Sequence, residues 1–128
     1  MKKILLLLLF VSTLFSDIRW ADDLDDAIEL AQKEHKKVMV MLSRRGCSAC
    51  EYMKGVVFED KNFMKSFNKN YIAVHVDVKE DFVPEGLEYF ATPTFYFFNE
   101  NEKVIERING ASNSKSFADT INTINAKK

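Results

Sequence analysis

The sequence predicts an α/β sandwich built on a mixed β-sheet, and two observations carry that expectation. Helix-like and strand-like periodicities follow one another in the order helix, strand, helix, strand, hairpin, helix, an order that packs helices against a sheet. The two hairpin strands are joined only by the polar Asn99 to Glu102, so they must run antiparallel.

From Asp22 to Lys36, apolar Leu24, Ala27, Ile28, Leu30 and Ala31 recur at three-and-four spacing. Acids fill the first turn, and Lys33, His35, Lys36 and Lys37 gather at the end, which suits the helix dipole. Val38-Met39-Val40-Met41-Leu42 is a continuous apolar run of strand length, the pattern of a strand buried on both faces. The stretch Ala49 to Phe58 has helical spacing, Glu59 to Asn62 interrupts it, and Phe63, Met64 and Phe67 mark a further short helical piece. Tyr71 to Val78 alternates, with Ile72, Val74, Val76 and Val78 on one face of a strand. A polar loop with Pro84 and Gly86 leads through Leu87, Tyr89 and Phe90 to Thr92-Pro93 and the aromatic strand Thr94 to Phe98. The chain returns through Val104, Ile105 and Ile108 to Gly110, and Phe117, Ile121 and Ile124 make a final amphipathic helix over Ser114 to Ala126.

Residues 1–16 read as a secretory signal peptide: Lys2 and Lys3, an apolar run from Ile4 to Val11, then small polar residues up to Ser16. The run is short for a membrane span, and Asp17, Arg19, Asp22 and Asp23 follow at once. Leu14 is bulky for its place before a Ser16 cleavage site, so an uncleaved N-terminal membrane anchor is the alternative. Cleavage leaves a domain of residues 17–128, enough for one compact unit and too few for two. Losing Lys2 and Lys3 leaves 16 basic residues against 19 acidic ones, a net charge of about −3. That balance gives no reason to expect nucleic acid or an anionic membrane surface as a partner. The domain is expected to be a monomer in the periplasm or another exported compartment.

The only cysteines stand together as Cys47-Ser48-Ala49-Cys50, between the apolar strand and a helix. Unpaired N–H groups and the dipole at a helix start favour a thiolate over a thiol, so the pair reads as a redox dithiol. A purely structural bridge is the competing reading. Chain entropy gives a loop of about four residues on the order of 2 kcal/mol, against roughly 4.7 for a loop near 100 residues, so such a bridge would do little for stability. Zinc is the other competitor, but the sequence offers only half a tetrahedral site. No second pair exists, and His35 and His75 are neither adjacent nor at ligand spacing. His35 is expected to be solvated and His75 to be a satisfied sheet residue, so neither metal nor cofactor is expected. In an oxidising compartment a lone close pair points to exchange with exported protein disulfides or thiols.

Taken together, four features resemble the thioredoxin superfamily, most nearly the exported SoxW-like thioredoxins and then the C-terminal domain of the DsbD reductase. They are the strand, Cys47-Ser48-Ala49-Cys50 and helix; the Tyr71 to Val78 strand with Asp77 near its end; Thr92-Pro93-Thr94 opening an aromatic strand; and Arg107-Ile108-Asn109-Gly110 before the last helix. The resemblance spans about Val38 to Ala126. It implies the thioredoxin fold, a three-layer sandwich with a mixed central β-sheet flanked by helices. It also implies that Cys47 attacks, Cys50 resolves, Pro93 follows a cis peptide bond, and Thr92 offers its backbone to an extended substrate. The first assignment agrees with the expectation that the first sulfur lies nearer solvent and the dipole's positive end.

The chain departs from the family pattern at several places. Gly46 stands where a tryptophan is common, Met41 where a buried acid often serves the resolving cysteine, Ala91 where a glycine is usual, and Gly55 where many relatives have a helix-kinking proline. Arg44 and Arg45 precede the motif, where cations near Cys47 would stabilise its thiolate and the reduced form, while Glu51 opposes them. The resulting expectation is an exported thiol–disulfide oxidoreductase that chiefly reduces disulfides, supplied by a membrane or exported electron donor. An oxidase or isomerase of the same fold, or a redox-inactive binding module, are the alternatives.

Overall fold

The computed structural model describes residues 17–128; the signal segment expected over residues 1–16 lies outside the described residues. Five strands form one sheet in the order β1-β3-β2-β4-β5, with β1 at Trp20–Ala21, β2 at Lys37–Ser43, β3 at Tyr71–Asp77, β4 at Thr94–Phe98 and β5 at Val104–Asn109. β1 and β2 both run parallel to β3, whereas β4 is antiparallel to β2 and to β5, so the sheet is mixed as expected. β2 lies at its centre, and from Val38 to Leu42 it is buried on both faces, which explains its unbroken apolar run.

The pleat divides the core in two. Met39, Met41, Tyr71, Ala73, Phe95 and Phe97 point to one face, the lower one, where α2 (Ser48–Tyr52), α3 (Lys61–Asn70) and α4 (Ser114–Asn125) cover them with Cys50, Phe63, Phe67 and Phe117. Val38, Val40, Leu42, Ile72 and Val74 point to the other, against Ala27 and Ala31 of α1 (Leu24–Glu34) and Leu87 of the long loop before β4. These are the three layers of the expected sandwich. The first face is held by aromatics: Phe117 lies 5.0 Å from Phe95 and 5.7 Å from Phe63, centroid to centroid. Tyr71 is buried with its hydroxyl donating to Asn125 Oδ1 at 2.7 Å, which ties the end of α4 to β3. That burial pushes the phenol well above its ordinary range.

Helix starts follow capping chemistry. Asp23, Asp60 and Asn113 precede α1, α3 and α4, and each side chain accepts the backbone N–H three residues on, at 2.8, 2.9 and 2.9 Å. α1 is thus shorter than the Asp22 to Lys36 expectation, and it ends where His35 turns left-handed at φ 55°.

Two elements differ from the sequence expectation. The helix expected over Ala49 to Phe58 is α-helical only through Tyr52 and continues as a π-helical turn over Met53–Val57, closed by Phe58 N–H donating to Met53 O at 2.8 Å. Gly55 lies in this turn, with open space where a Cβ would stand, so the wider winding meets no steric check there. β1 was not expected at all. Its two residues carry no periodicity, and pairing of Trp20 with Ala73 and Ala21 with Val74 is what makes them a strand.

Candidate active site

The loop from Arg44 to Cys47 carries the chain from the centre of the sheet to the start of α2. Gly46 takes φ +79° there, a conformation that a β-carbon disfavours and that opens the turn before the first cysteine. Cys47 then caps α2, with its sulfur accepting the Cys50 N–H at 3.2 Å. An N–H aimed at a sulfur stabilises negative charge on it.

Cys47 and Cys50 are joined as a disulfide, with their Cα atoms 5.2 Å apart. The two sulfurs are not equivalent. Cys47 keeps 7% of its surface exposed and borders an open groove, while Cys50 is completely enclosed in the core between the sheet and α2, α3 and α4. A reagent arriving from solvent meets Cys47 first.

The loop before β4 forms the other wall. Cys47 Sγ lies 3.5 Å from the carbonyl oxygen of Thr92, and the Thr92–Pro93 peptide bond is cis. Three hydrogen bonds fix this wall: Thr94 Oγ1 donates to Ala91 O at 2.7 Å, Gly110 N–H to Pro93 O at 2.8 Å, and the Tyr96 hydroxyl to Glu88 O at 2.6 Å. All four sequence-predicted site residues, Cys47, Cys50, Thr92 and Pro93, thus converge where the end of β2 meets the start of β4.

Sequence reasoning missed the rest of the groove. Lys79, Tyr89 and Phe90 line it together with Arg44 and Thr92, in a space of about 520 Å³. Phe90 is 89% exposed, and the Arg107 guanidinium sits 5.8 Å from its ring centre. An aromatic pair in an otherwise polar loop was the available signal, and only the fold shows that it faces the cysteines.

The departures resolve in specific ways. The two arginines part company: Arg45 pairs with Glu80 at 2.7 Å, whereas Arg44 lines the groove and takes part in no ion pair among the described residues. Glu51 is paired with Lys54 at 3.3 Å. Met41, in the place of the family's acid, lies beside His75 in the β2–β3 register. His75 shares a hydrogen bond with the buried hydroxyl of Ser43, as expected of a satisfied sheet histidine. Burial, and then the Lys54 ammonium, hold its imidazole below its ordinary pKa and favour the neutral ring. His35 remains solvent-exposed, 3.9 Å from Glu100. Trp20 packs edge-on against Phe58 and His75, at 5.8 and 6.2 Å.

Comparison with known proteins follows the same lines. The model of the thioredoxin-like domain family matches residues 24–125. No curated protein matched the chain. Among solved structures, a thioredoxin from Thermus thermophilus superposes with a TM-score of 0.72 at 24% identity, covering 87% of this chain and 89% of its own. A DsbH oxidoreductase gives 0.69 at 15% identity, covering 88% and 87%, and a poplar thioredoxin h gives 0.65 at 20%, covering 88% and 99%. At these identities the structural likeness speaks for the fold, while the matched family and the bonded pair within it speak for the chemistry. The chain belongs to the thioredoxin-like domain family, and through Cys47 and Cys50 it is a thiol–disulfide oxidoreductase.

Proposed function

We propose that this protein is an exported reductant of disulfides in other exported proteins, with Cys47 as nucleophile and Cys50 as resolving thiol. The observation that carries the roles is the asymmetry of the pair: a largely buried Cys47 whose N–H-solvated sulfur still borders a groove, and a fully enclosed Cys50 behind it. In the reduced protein the Cys47 thiolate attacks one sulfur of a client disulfide. The client S–S bond breaks, a Cys47–client bond forms, and the other client sulfur leaves as a thiolate that takes up a proton. Cys50 then loses its proton and attacks Cys47 Sγ, which expels the second client thiolate and forms the Cys47–Cys50 disulfide. Two electrons have passed to the client, and its two thiolates are protonated by the Cys50 proton and one from solvent. A membrane or exported dithiol donor returns the pair to its reduced form.

Thr92 and Pro93 are the substrate-binding part of this reading. The Thr92 carbonyl beside Cys47 is an acceptor for the backbone of an extended client segment, a pairing that tolerates many sequences. Export rests on the character of residues 1–16, with an uncleaved anchor as the variant form.

The test is to express the full chain with Cys50→Ser in a cell with an exported compartment and to resolve the adducts without reducing agent. Mixed disulfides with exported proteins, released by dithiothreitol and absent with Cys47→Ser, are expected. Trapping through Cys50 alone would reverse the roles, and adducts only with cytoplasmic proteins would remove export. Accumulation of oxidised rather than reduced clients would favour the oxidase or isomerase reading.

A further inference from the structure

The charged residues that line the groove beside Cys47 are both cations. Arg44 and Lys79 both line it, no acidic side chain does, and neither cation takes part in an ion pair among the described residues. Among the acids near the two cations in sequence, Glu80 pairs with Arg45 at 2.7 Å, Glu51 pairs with Lys54 at 3.3 Å and Asp81 accepts the Asp77 N–H at 2.8 Å, while Glu88, beside Tyr89, is in no ion pair among the described residues and does not line the groove. Asp77 spends its carboxylate on the backbone N–H groups of Arg45, Lys79 and Glu80. That same carboxylate ties the two cation-bearing loops together at the mouth of the groove. The opposite wall offers the exposed ring of Phe90 and the half-exposed ring of Tyr89. A positive, aromatic-walled mouth is thus continuous with the reacting sulfur, on a chain whose formal net charge is −1.

We propose that Arg44 and Lys79 select clients, so that the preferred substrate is an extended segment with a carboxylate side chain next to its reacting cysteine. This rests on the redox reading above. Exposed cations at a rim act by steering and by modest contact energies, so the preference is kinetic and salt-dependent. Basic segments are disfavoured because Arg44 and Lys79 meet them with like charge.

The test uses the reduced protein and three disulfides at low salt. Two are peptides of equal length with an intramolecular disulfide, identical except that glutamates or lysines flank one cysteine; the third is the neutral bis(2-hydroxyethyl) disulfide. The glutamate peptide is expected to be reduced roughly three- to tenfold faster than the lysine peptide, the scale of two exposed charge contacts. This preference runs against the chain's net negative charge. The ratio should approach one at high salt and in Arg44→Gln/Lys79→Gln, and should invert in Arg44→Glu/Lys79→Glu. Taking a ratio within each variant cancels any change in the reactivity of Cys47 itself. Equal rates for both peptides, or a ratio unmoved by the substitutions, would overturn the selection while leaving the redox reading intact. Failure to reduce any of the three disulfides would overturn the redox reading, and the selection with it.

Discussion

The carboxylate of Asp77 joins the cysteine loop to the loop after β3: Oδ2 accepts the Arg45 N–H at 3.2 Å, while Oδ1 accepts those of Lys79 at 2.9 Å and Glu80 at 3.2 Å. The β2–β3 ladder ends at this corner, with Val78 N–H donating to Ser43 O at 2.8 Å, and the Asp77 side chain carries the connection into the two loops beyond it. These N–H groups, with Lys79 the largest contributor, hold the carboxyl below its ordinary range. A folded-state pKa below the unfolded one means that the ionised carboxylate stabilises the fold. The contribution is present above about pH 4 and is lost as pH falls through the depressed value. Asp77→Ala is therefore expected to melt below the parent at pH 7, with the gap closing as pH is taken below about 4. A gap of equal size at both ends, read by thermal unfolding, would contradict this.

His75 has the same sign, over a higher pH interval. Its folded pKa lies below the unfolded one because burial and Lys54 oppose the charged ring. The unfolded chain therefore binds the proton first: the contribution is complete above about pH 6.5 and falls as pH drops below it. His75→Gln should flatten the decline in stability between about pH 7 and pH 5, relative to the parent. Denaturant midpoints measured across that interval should diverge, and parallel curves would contradict the assignment.

Phe117 stands in the core between the sheet and α2, α3 and α4, fully buried against Phe58, Phe63 and Phe95. Phe117→Ala is expected to cost about 3–5 kcal/mol through lost burial and a residual cavity. That is a large share of the roughly 5–15 kcal/mol typical of a domain. Phe117→Leu should lose much less. Equilibrium denaturation separates the two, and similar losses would mean that the site collapses around the smaller residue.

The exposure difference between the cysteines predicts unequal alkylation. In the reduced protein Cys47 should react with iodoacetamide at least about tenfold faster than Cys50, since reactivity follows exposure and thiolate character. Peptide mapping after partial modification reads the ratio directly. Equal labelling would remove the structural basis for separate roles.

Much of this architecture was legible in the sequence because burial writes itself into periodicity. The run Val38 to Leu42 announced the central strand, and the alternation from Ile72 to Val78 announced β3 with its correct face. The cysteine pair was legible because its spacing and its place between a strand and a helix are themselves the chemistry. What could not be read depended on contacts distant in sequence. β1 exists only through its pairing with Ala73 and Val74, and the π-helical turn at Gly55 is a difference of one hydrogen-bond step that helical spacing barely registers. The division of labour between Arg44 and Arg45 required the position of Glu80, and Phe90 joined the groove only once the long loop had folded back over Tyr96.

The most direct test of the central claim is an equilibrium titration of the Cys47–Cys50 pair in glutathione buffers, followed by alkylation and mass. A reversible two-electron transition near about −270 mV is expected for a reductant, and one near about −120 mV would reverse the direction of electron flow. A pair that stays oxidised until below about −300 mV would behave as a structural disulfide and would contradict the account.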